Sequence, residues 1–130
     1  MSPSFIDTNI LVYAVGREHP LREPAQMMLR ERLEQRVPMA TSAEVLQELL
    51  HVYLPVGRTA ALDAALRLAA DLTTVWPIDA TDVRAARDLA VSQPGLGARD
   101  LLHLAICRRY DVDELLSFDR ALVAAFAAGT

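Results

Sequence analysis

Short apolar strands alternate with helical segments along this chain, and no other feature limits its fold as much. Pro3 to Ile6, Met39 to Thr41, Thr73 to Trp76 and Glu114 to Leu116 read as strands. Helical stretches separate them: Asn9 to Val15, Leu21 to Arg36, Ala43 to Tyr53, Thr59 to about Leu72, a segment capped by Asp79 or Thr81 running to about Gln93, and Ala98 to Tyr110. A last helix opens at Asp119 and runs to Ala127. Breakers mark the changes of pattern: Val37-Pro38, Pro55 with Gly57, and Pro94 to Gly97. Helix-length links between strands fit parallel pairing, and parallel sheets are covered on both faces. The expectation is an α/β fold with helices on both sides of a mostly parallel sheet. Residues 1–130 form one domain in this reading, with room for a real core.

Composition matters here mainly for what it removes. A hydrophobic share of 52% against 23% charged is that of an ordinary globular domain. No apolar run is long enough to span a membrane. Asp7 interrupts the first apolar segment and no basic stretch precedes it, so no secretory signal is expected, and the cytoplasm is the natural compartment. The one cysteine, Cys107, can form neither an internal disulfide nor a cysteine zinc cluster and reads as core. All 13 basic side chains are arginine. Without lysine, lysine-dependent catalysis and a Walker A loop are excluded. The GxGxxG pattern is also absent; Gly95-Leu96-Gly97 is a turn signal. A net charge of −4 and a pI near 5.3 give no overall nucleic-acid footprint. Acids gathered in a metal site would lower the net charge locally.

The carboxylates carry the functional signal. In open parallel α/β sheets, ligands bind beyond the carboxyl ends of strands. Asp7 follows the strand residues Phe5-Ile6, and Asp119 follows Leu115-Leu116-Ser117-Phe118. Each also begins a helix, so each taken alone is explained as an N-cap. Asp100 opens the largely apolar helix "ARDLLHLAICRRY", where a first-turn acid is favoured by the helix dipole. In "SAEVLQELLHVY", Glu44, Gln47, Glu48 and His51 form a polar stripe at about 100° per residue. Glu44 reads as solvated; Glu48, at the apolar edge of the stripe, is the better candidate. Four acids so placed would repel one another without cations among them. Arg99 and Arg120 are neighbours in sequence that offset part of that charge. A hard cation with oxygen ligands, Mg²⁺ or Mn²⁺, does so more fully. Such an ion generates hydroxide and polarises a phosphoryl oxygen, which points to metal-assisted phosphodiester hydrolysis.

These blocks, in this order, resemble the PIN-domain family, and within it the VapC-type toxins of bacterial toxin–antitoxin pairs. "FIDTNILVYA" looks like the family's opening strand and first acid; "ATSAEVLQELLHVY" is similar to the second block and supplies Glu48. "ARDLLHLAICRRY" resembles the third block, with Asp100, and "LLSFDRAL" the fourth, with Ser117 and Asp119. The resemblance covers nearly the whole chain. It implies an α/β/α sandwich around a parallel sheet of about five strands, and Mg²⁺- or Mn²⁺-dependent endoribonuclease activity. Asp7, Glu48, Asp100 and Asp119 would be the acidic quartet, serving as both metal ligands and catalytic groups, with Asn9 and Ser117 supporting them. His103 reads as a packed, hydrogen-bonded histidine rather than a ligand. A cognate antitoxin and an RNA substrate are the implied partners, with no membrane involved.

A homodimer is also expected. The hairpin of Ala43 to Tyr53 and Thr59 to Leu72 is joined by the apolar link Leu54-Pro55-Val56-Gly57-Arg58. In "AALDAALRLAADL", Leu62 and Leu66 share one side while Leu68 points elsewhere, more apolar spread than one sheet face needs. Two other functions fit the same residues: a PIN-domain nuclease of RNA processing outside a toxin pair, and a non-catalytic PIN-like binding module. An aspartyl phosphoryl-transfer enzyme would want a second acid where Asn9 stands, and a lysine.

Overall fold

The computed structural model describes residues 2–129. Four parallel strands, β1 (Ser4–Ile6), β2 (Met39–Ser42), β3 (Thr74–Trp76) and β4 (Glu114–Leu116), lie in the spatial order β3-β2-β1-β4. Seven helices connect and cover them: α1 (Thr8–Val15), α2 (Arg22–Glu34), α3 (Ala43–Tyr53), α4 (Thr59–Leu72), α5 (Ala80–Ser92), α6 (Ala98–Arg109) and α7 (Arg120–Ala128). This is the expected α/β/α sandwich. The sheet has four strands among the described residues, not the five or so that the family resemblance implied. The four are those that the sequence pattern itself marks; every other stretch is helical or broken by proline, glycine and charge.

Each helix begins where its local chemistry allows. Ser42 caps α3, its hydroxyl accepting the Val45 amide. Asp79 caps α5 in a reciprocal box with Asp82, which settles the choice between Asp79 and Thr81. Thr59 does not cap α4 but is its first residue, preceded by a 3₁₀ turn (Leu54–Val56) and by Gly57 at φ 67°. That left-handed conformation suits glycine, which has no Cβ to clash.

The sheet centre is dry. Every residue of β1 and β2 is buried, whereas β3 is an exposed edge. Phe5, Ile6, Ile10, Leu11, Val45, Leu49, Ile106 and Leu122 fill the core between sheet and helices. A smaller cluster of Ala86, Leu101 and Ala105 holds α5 against α6. At ~25 cal/mol per Å² of apolar area removed from water, this burial is the main source of stability.

Topology places the ligand crevice. The chain leaves β1 through α1 and α2 towards β2 on one side, but returns to β4 on the other side of β1. The strand order therefore reverses between β1 and β4, and a parallel sheet opens a crevice at such a point, beyond its carboxyl ends. Phe5 pairs with Leu115 and Ile6 with Leu116. The next residues on both strands, Asp7 and Ser117, are thus set side by side at the crevice mouth.

Candidate active site

Asp7 is the innermost acid, 5% exposed. Its Oδ1 accepts the Thr8 amide at 2.8 Å, and its Oδ2 accepts the Ser117 hydroxyl at 2.6 Å. Ser117 Oγ in turn accepts the Asp119 amide at 3.0 Å and the Asn9 side-chain amide at 3.3 Å. Asn9 Oδ1 accepts the Phe118 amide at 3.1 Å. Asn9 and Ser117 thus tie the segment after β4 to the start of α1.

Glu48 projects from the second turn of α3 and is held on both oxygens. Oε2 accepts the Thr8 hydroxyl at 2.7 Å, and Oε1 lies 2.7 Å from His103 Nε2. A carboxylate only accepts, so His103 carries its proton on Nε2 and donates. His103 is 1% exposed and also lies 3.7 Å from Asp7 Oδ1. Its Nδ1 has no partner among the described residues.

The other two acids sit at the rim. Asp119 caps α7, its Oδ1 accepting the Leu122 amide at 3.1 Å. Asp100 is half-buried in the first turn of α6. All four acids line one cleft of about 280 Å³, together with Thr8, Asn9, Val12, Tyr13 and Val52. Glu44 lies outside that lining.

The ionisation of the site shows one shared field. Burial pushes the Asp7 carboxyl above its ordinary value, and the charge of Glu48 adds to this; His103, Ser117 and the Thr8 amide only partly offset it. Asp100 is raised by burial and then by Asp119, with Asp7 and Glu48 contributing. Glu48 moves the other way. Burial alone would raise it, but the hydrogen bond and charge of His103, aided by Thr8 and Arg99, hold it below the usual carboxylate range. His103 is pushed up: burial opposes its charge, and the bond to Glu48 with the charges of Asp7, Glu48 and Asp100 overcomes that. Among neighbouring cations, His103 therefore does more for Glu48 than Arg99, which sequence proximity had suggested. Cys107 is buried, and burial followed by the Asp7 charge takes its thiol up to about 12. It is a core side chain, as read from the sequence, and not a nucleophile.

The donor set is that of a hard divalent cation. Asp7, Glu48 and His103 bring potential ligand atoms within 4.8 Å of one another. His103 Nε2 is already engaged by Glu48, which leaves oxygen as the ligand chemistry. Burial is the main reason that Asp7 and Asp100 are pushed up, and the smaller share from neighbouring carboxylates is what a bound cation would relieve. Thr8 was not singled out in the sequence. A hydroxyl directly after the first acid was the available signal, but its partner lies 40 residues on.

Comparison with known proteins bears on this geometry. A family model described as PIN domain matches residues 4–127. The chain is 54% identical over 122 residues to ribonuclease VapC23 of Mycobacterium tuberculosis, spanning 94% of this chain and 97% of that protein. It is 40% identical over 116 residues to ribonuclease VapC13 of the same species, 88% of each chain. The crystal structure of M. tuberculosis VapC20, described as a sarcin-ricin loop cleaving toxin, matches with a TM-score of 0.73 at 23% identity over 94% of both chains. That solved structure speaks for the fold alone.

Proposed function

Because the chain belongs to the PIN-domain family, and within it to the VapC ribonucleases, we propose that it is the toxin of a type II toxin–antitoxin pair. In this reading it is an endoribonuclease that hydrolyses RNA phosphodiesters at the cleft of Asp7, Glu48, Asp100 and Asp119. The observation that carries the assignment is convergence. Four carboxylates from separate elements line one cleft at the point where the strand order reverses, two of them, Asp7 and Glu48, with ligand atoms within 4.8 Å of one another, and the innermost is almost wholly buried.

The four carboxylates would hold Mg²⁺, for which Mn²⁺ substitutes. Such an ion, when bound, supplies an activated water and positive charge for the phosphoryl oxygens. The chain's own contribution is pre-organisation. Asp7 and Glu48 cannot turn without breaking hydrogen bonds from the Thr8 amide, Ser117, the Thr8 hydroxyl and His103. The rim acids Asp100 and Asp119 complete the oxygen set. Val12, Tyr13 and Val52 form an apolar side of the cleft, where lower dielectric strengthens each charge interaction. His103 keeps Glu48 ionised and aimed.

A toxin must be silenced in its own cell, and this acidic cleft invites an arginine from an antitoxin. The work would be done in the cytoplasm, the compartment expected from the sequence. Among the described residues, no helix is long and apolar enough to cross a membrane. A homodimer remains part of the reading, but its surface moves. Leu62, Leu66 and Leu68 all pack on their own core. The exposed apolar residues at the end of α3 and in the link include Leu50, Leu54 and Val56.

Cleavage of total RNA with Mn²⁺ and with EDTA, by wild type and by the variant with all four acids changed to alanine, tests the proposal. Metal-dependent cleavage by the wild type alone is expected. Equal cleavage by both proteins would remove the assignment. Co-expression with the product of the adjacent gene should yield an inactive complex.

A further inference from the structure

The acid cleft does not end at Tyr13. Val12 and Tyr13 also line a second, adjoining groove of about 170 Å³, walled by Arg17, Glu18, His19, Tyr53 and Arg58. It brings two arginines and one glutamate together with three flat rings beside the proposed scissile site.

The chain is shaped to make it. Helix α1 ends at Gly16, where a Cβ would stand 2.8 Å from the Val12 carbonyl oxygen; only glycine lets the chain turn away so tightly. The turn brings His19 back over Tyr13, with ring centroids 4.6 Å apart. Tyr13 also meets the edge of Phe118, at 5.7 Å. The Arg58 guanidinium lies 5.8 Å from the centroid of Tyr53. Tyr53 itself is 2% exposed, and its hydroxyl has no hydrogen-bond partner among the described residues. A buried polar atom left unpaired calls for a partner, and this one belongs to a residue that lines the groove. The features are those of a single-strand binding track: the Tyr13 and His19 rings for a base and two arginines for a phosphate.

We infer that this groove is the subsite for the RNA nucleotide flanking the scissile phosphate, with a base against Tyr13 and His19 and its phosphate between Arg17 and Arg58. The inference rests on the ribonuclease reading above. Charge selects the strand over the other candidate occupant, an antitoxin segment. An inhibitory peptide that offers arginine to the four acids meets two more arginines here and is repelled. An RNA strand leaving the acid cleft meets the cations it needs. Glu18 is exposed at the rim and leaves the charge balance of the groove positive.

The test is fluorescence anisotropy of a short, fluorescein-labelled single-stranded oligouridylate, in EDTA so that nothing is cut. The proteins are wild type, Arg17→Ala with Arg58→Ala, Tyr13→Leu, and a control with Arg84→Ala and Arg87→Ala on α5. Loss of both cations from that one phosphate should weaken binding about tenfold and make the salt dependence shallower by about 0.7 in log–log slope. Tyr13→Leu should weaken binding roughly fivefold or more, the loss of one stacked base. The α5 control should bind as wild type does. Thermal melts show whether each variant is folded, and cleavage of total RNA with Mn²⁺ reports on the catalytic site separately. If wild type cleaves and the double arginine variant binds as tightly as wild type, the subsite is refuted and the ribonuclease stands. If that variant keeps RNA but loses the co-expressed antitoxin, the groove is the antitoxin's and the inference also fails. If wild type neither binds nor cleaves RNA, the ribonuclease reading falls, and the subsite with it.

Discussion

Replacing Asp7 by asparagine should leave the metal-free protein folded while removing its response to metal. Asp7 is 5% exposed, and on balance its surroundings disfavour its charge, first through burial. A carboxyl with a raised folded-state pKa costs no stability below its unfolded value of 3.8; the cost grows as pH rises from there to the folded value and is complete above it. Above that value the ionised wild type carries the cost in full, ~1.4 kcal/mol for every tenfold weakening of the acid. Asparagine removes it. The amide oxygen still accepts the Thr8 amide, but the amide nitrogen now faces a Ser117 oxygen that already accepts two donors. One hydrogen bond lost costs ~1 kcal/mol and works against that gain. Metal separates the proteins. At about a hundredfold its Kd, a bound ion adds ~2.7 kcal/mol, or about 10 °C in Tm for a domain of this size. The assay is a thermal melt in EDTA and in Mn²⁺, paired with RNA cleavage. The wild type should shift by that amount, the variant by less than about 2 °C, with cleavage lost. A variant that shifts and cleaves as the wild type does would falsify the role of Asp7. One that melts far below wild type in EDTA would show its charge to be a structural requirement.

The clamp on Glu48 gives a second expectation. His103→Leu should weaken Mn²⁺ binding ~10-fold in calorimetry, and His103→Gln, which keeps a donor near Nε2, should recover most of it. The same pair sets a pH window in the metal-free protein. Stability from Glu48, whose pKa is lowered, is lost as pH falls through its folded value below 4.5. Stability from His103, whose pKa is raised, is full below 6.5 and lost as pH rises through its folded value. Melts of wild type minus His103→Gln should therefore show a wild-type advantage on the acid side of that value that shrinks above it. Leu54→Glu with Val56→Glu should give a monomer in light scattering while changing stability by no more than ~0.5 kcal/mol, because both residues are exposed. An unaffected dimer would exclude that surface.

Local signals were legible in the sequence and distant partnerships were not. Helix α3 was bounded as Ala43–Tyr53 because Ser42 caps one end and Pro55 with Gly57 closes the other. Asp7, Asp100 and Asp119 stood out because strand ends and helix starts are local events, and Glu48 because it borders the polar stripe of its helix; topology then sets all four along one cleft. Thr8 was missed because its significance is a bond to Glu48 on a different helix. The leucines of α4 were misjudged for a similar reason. Helical periodicity assumes one buried face, whereas α4 packs against α1, α3, β2 and β3 together and buries several sides. The groove beside Tyr13 depends on a chain reversal at Gly16, which no periodicity encodes.

The two explanations of Asp7, a helix cap and a site acid, are one arrangement. Its carboxylate accepts the first amide of α1, so the helix start supplies part of what a buried charge needs. Asp119 does the same for α7, accepting the Leu122 amide in its first turn. Ser117 then joins the two caps, donating to Asp7 and accepting from the Asp119 amide. Capping fixes where each acid stands, and the parallel pairing of β1 with β4 fixes how far apart the two caps are. The acids are thus positioned by backbone geometry that the fold requires anyway, and Glu48 and Asp100 need only be delivered by α3 and α6. Replacing either capping acid with serine would separate the roles. A hydroxyl still caps a helix, so circular dichroism should show the fold intact while calorimetry with Mn²⁺ shows binding lost; a serine variant that still binds the ion would mean that the acid serves its helix alone.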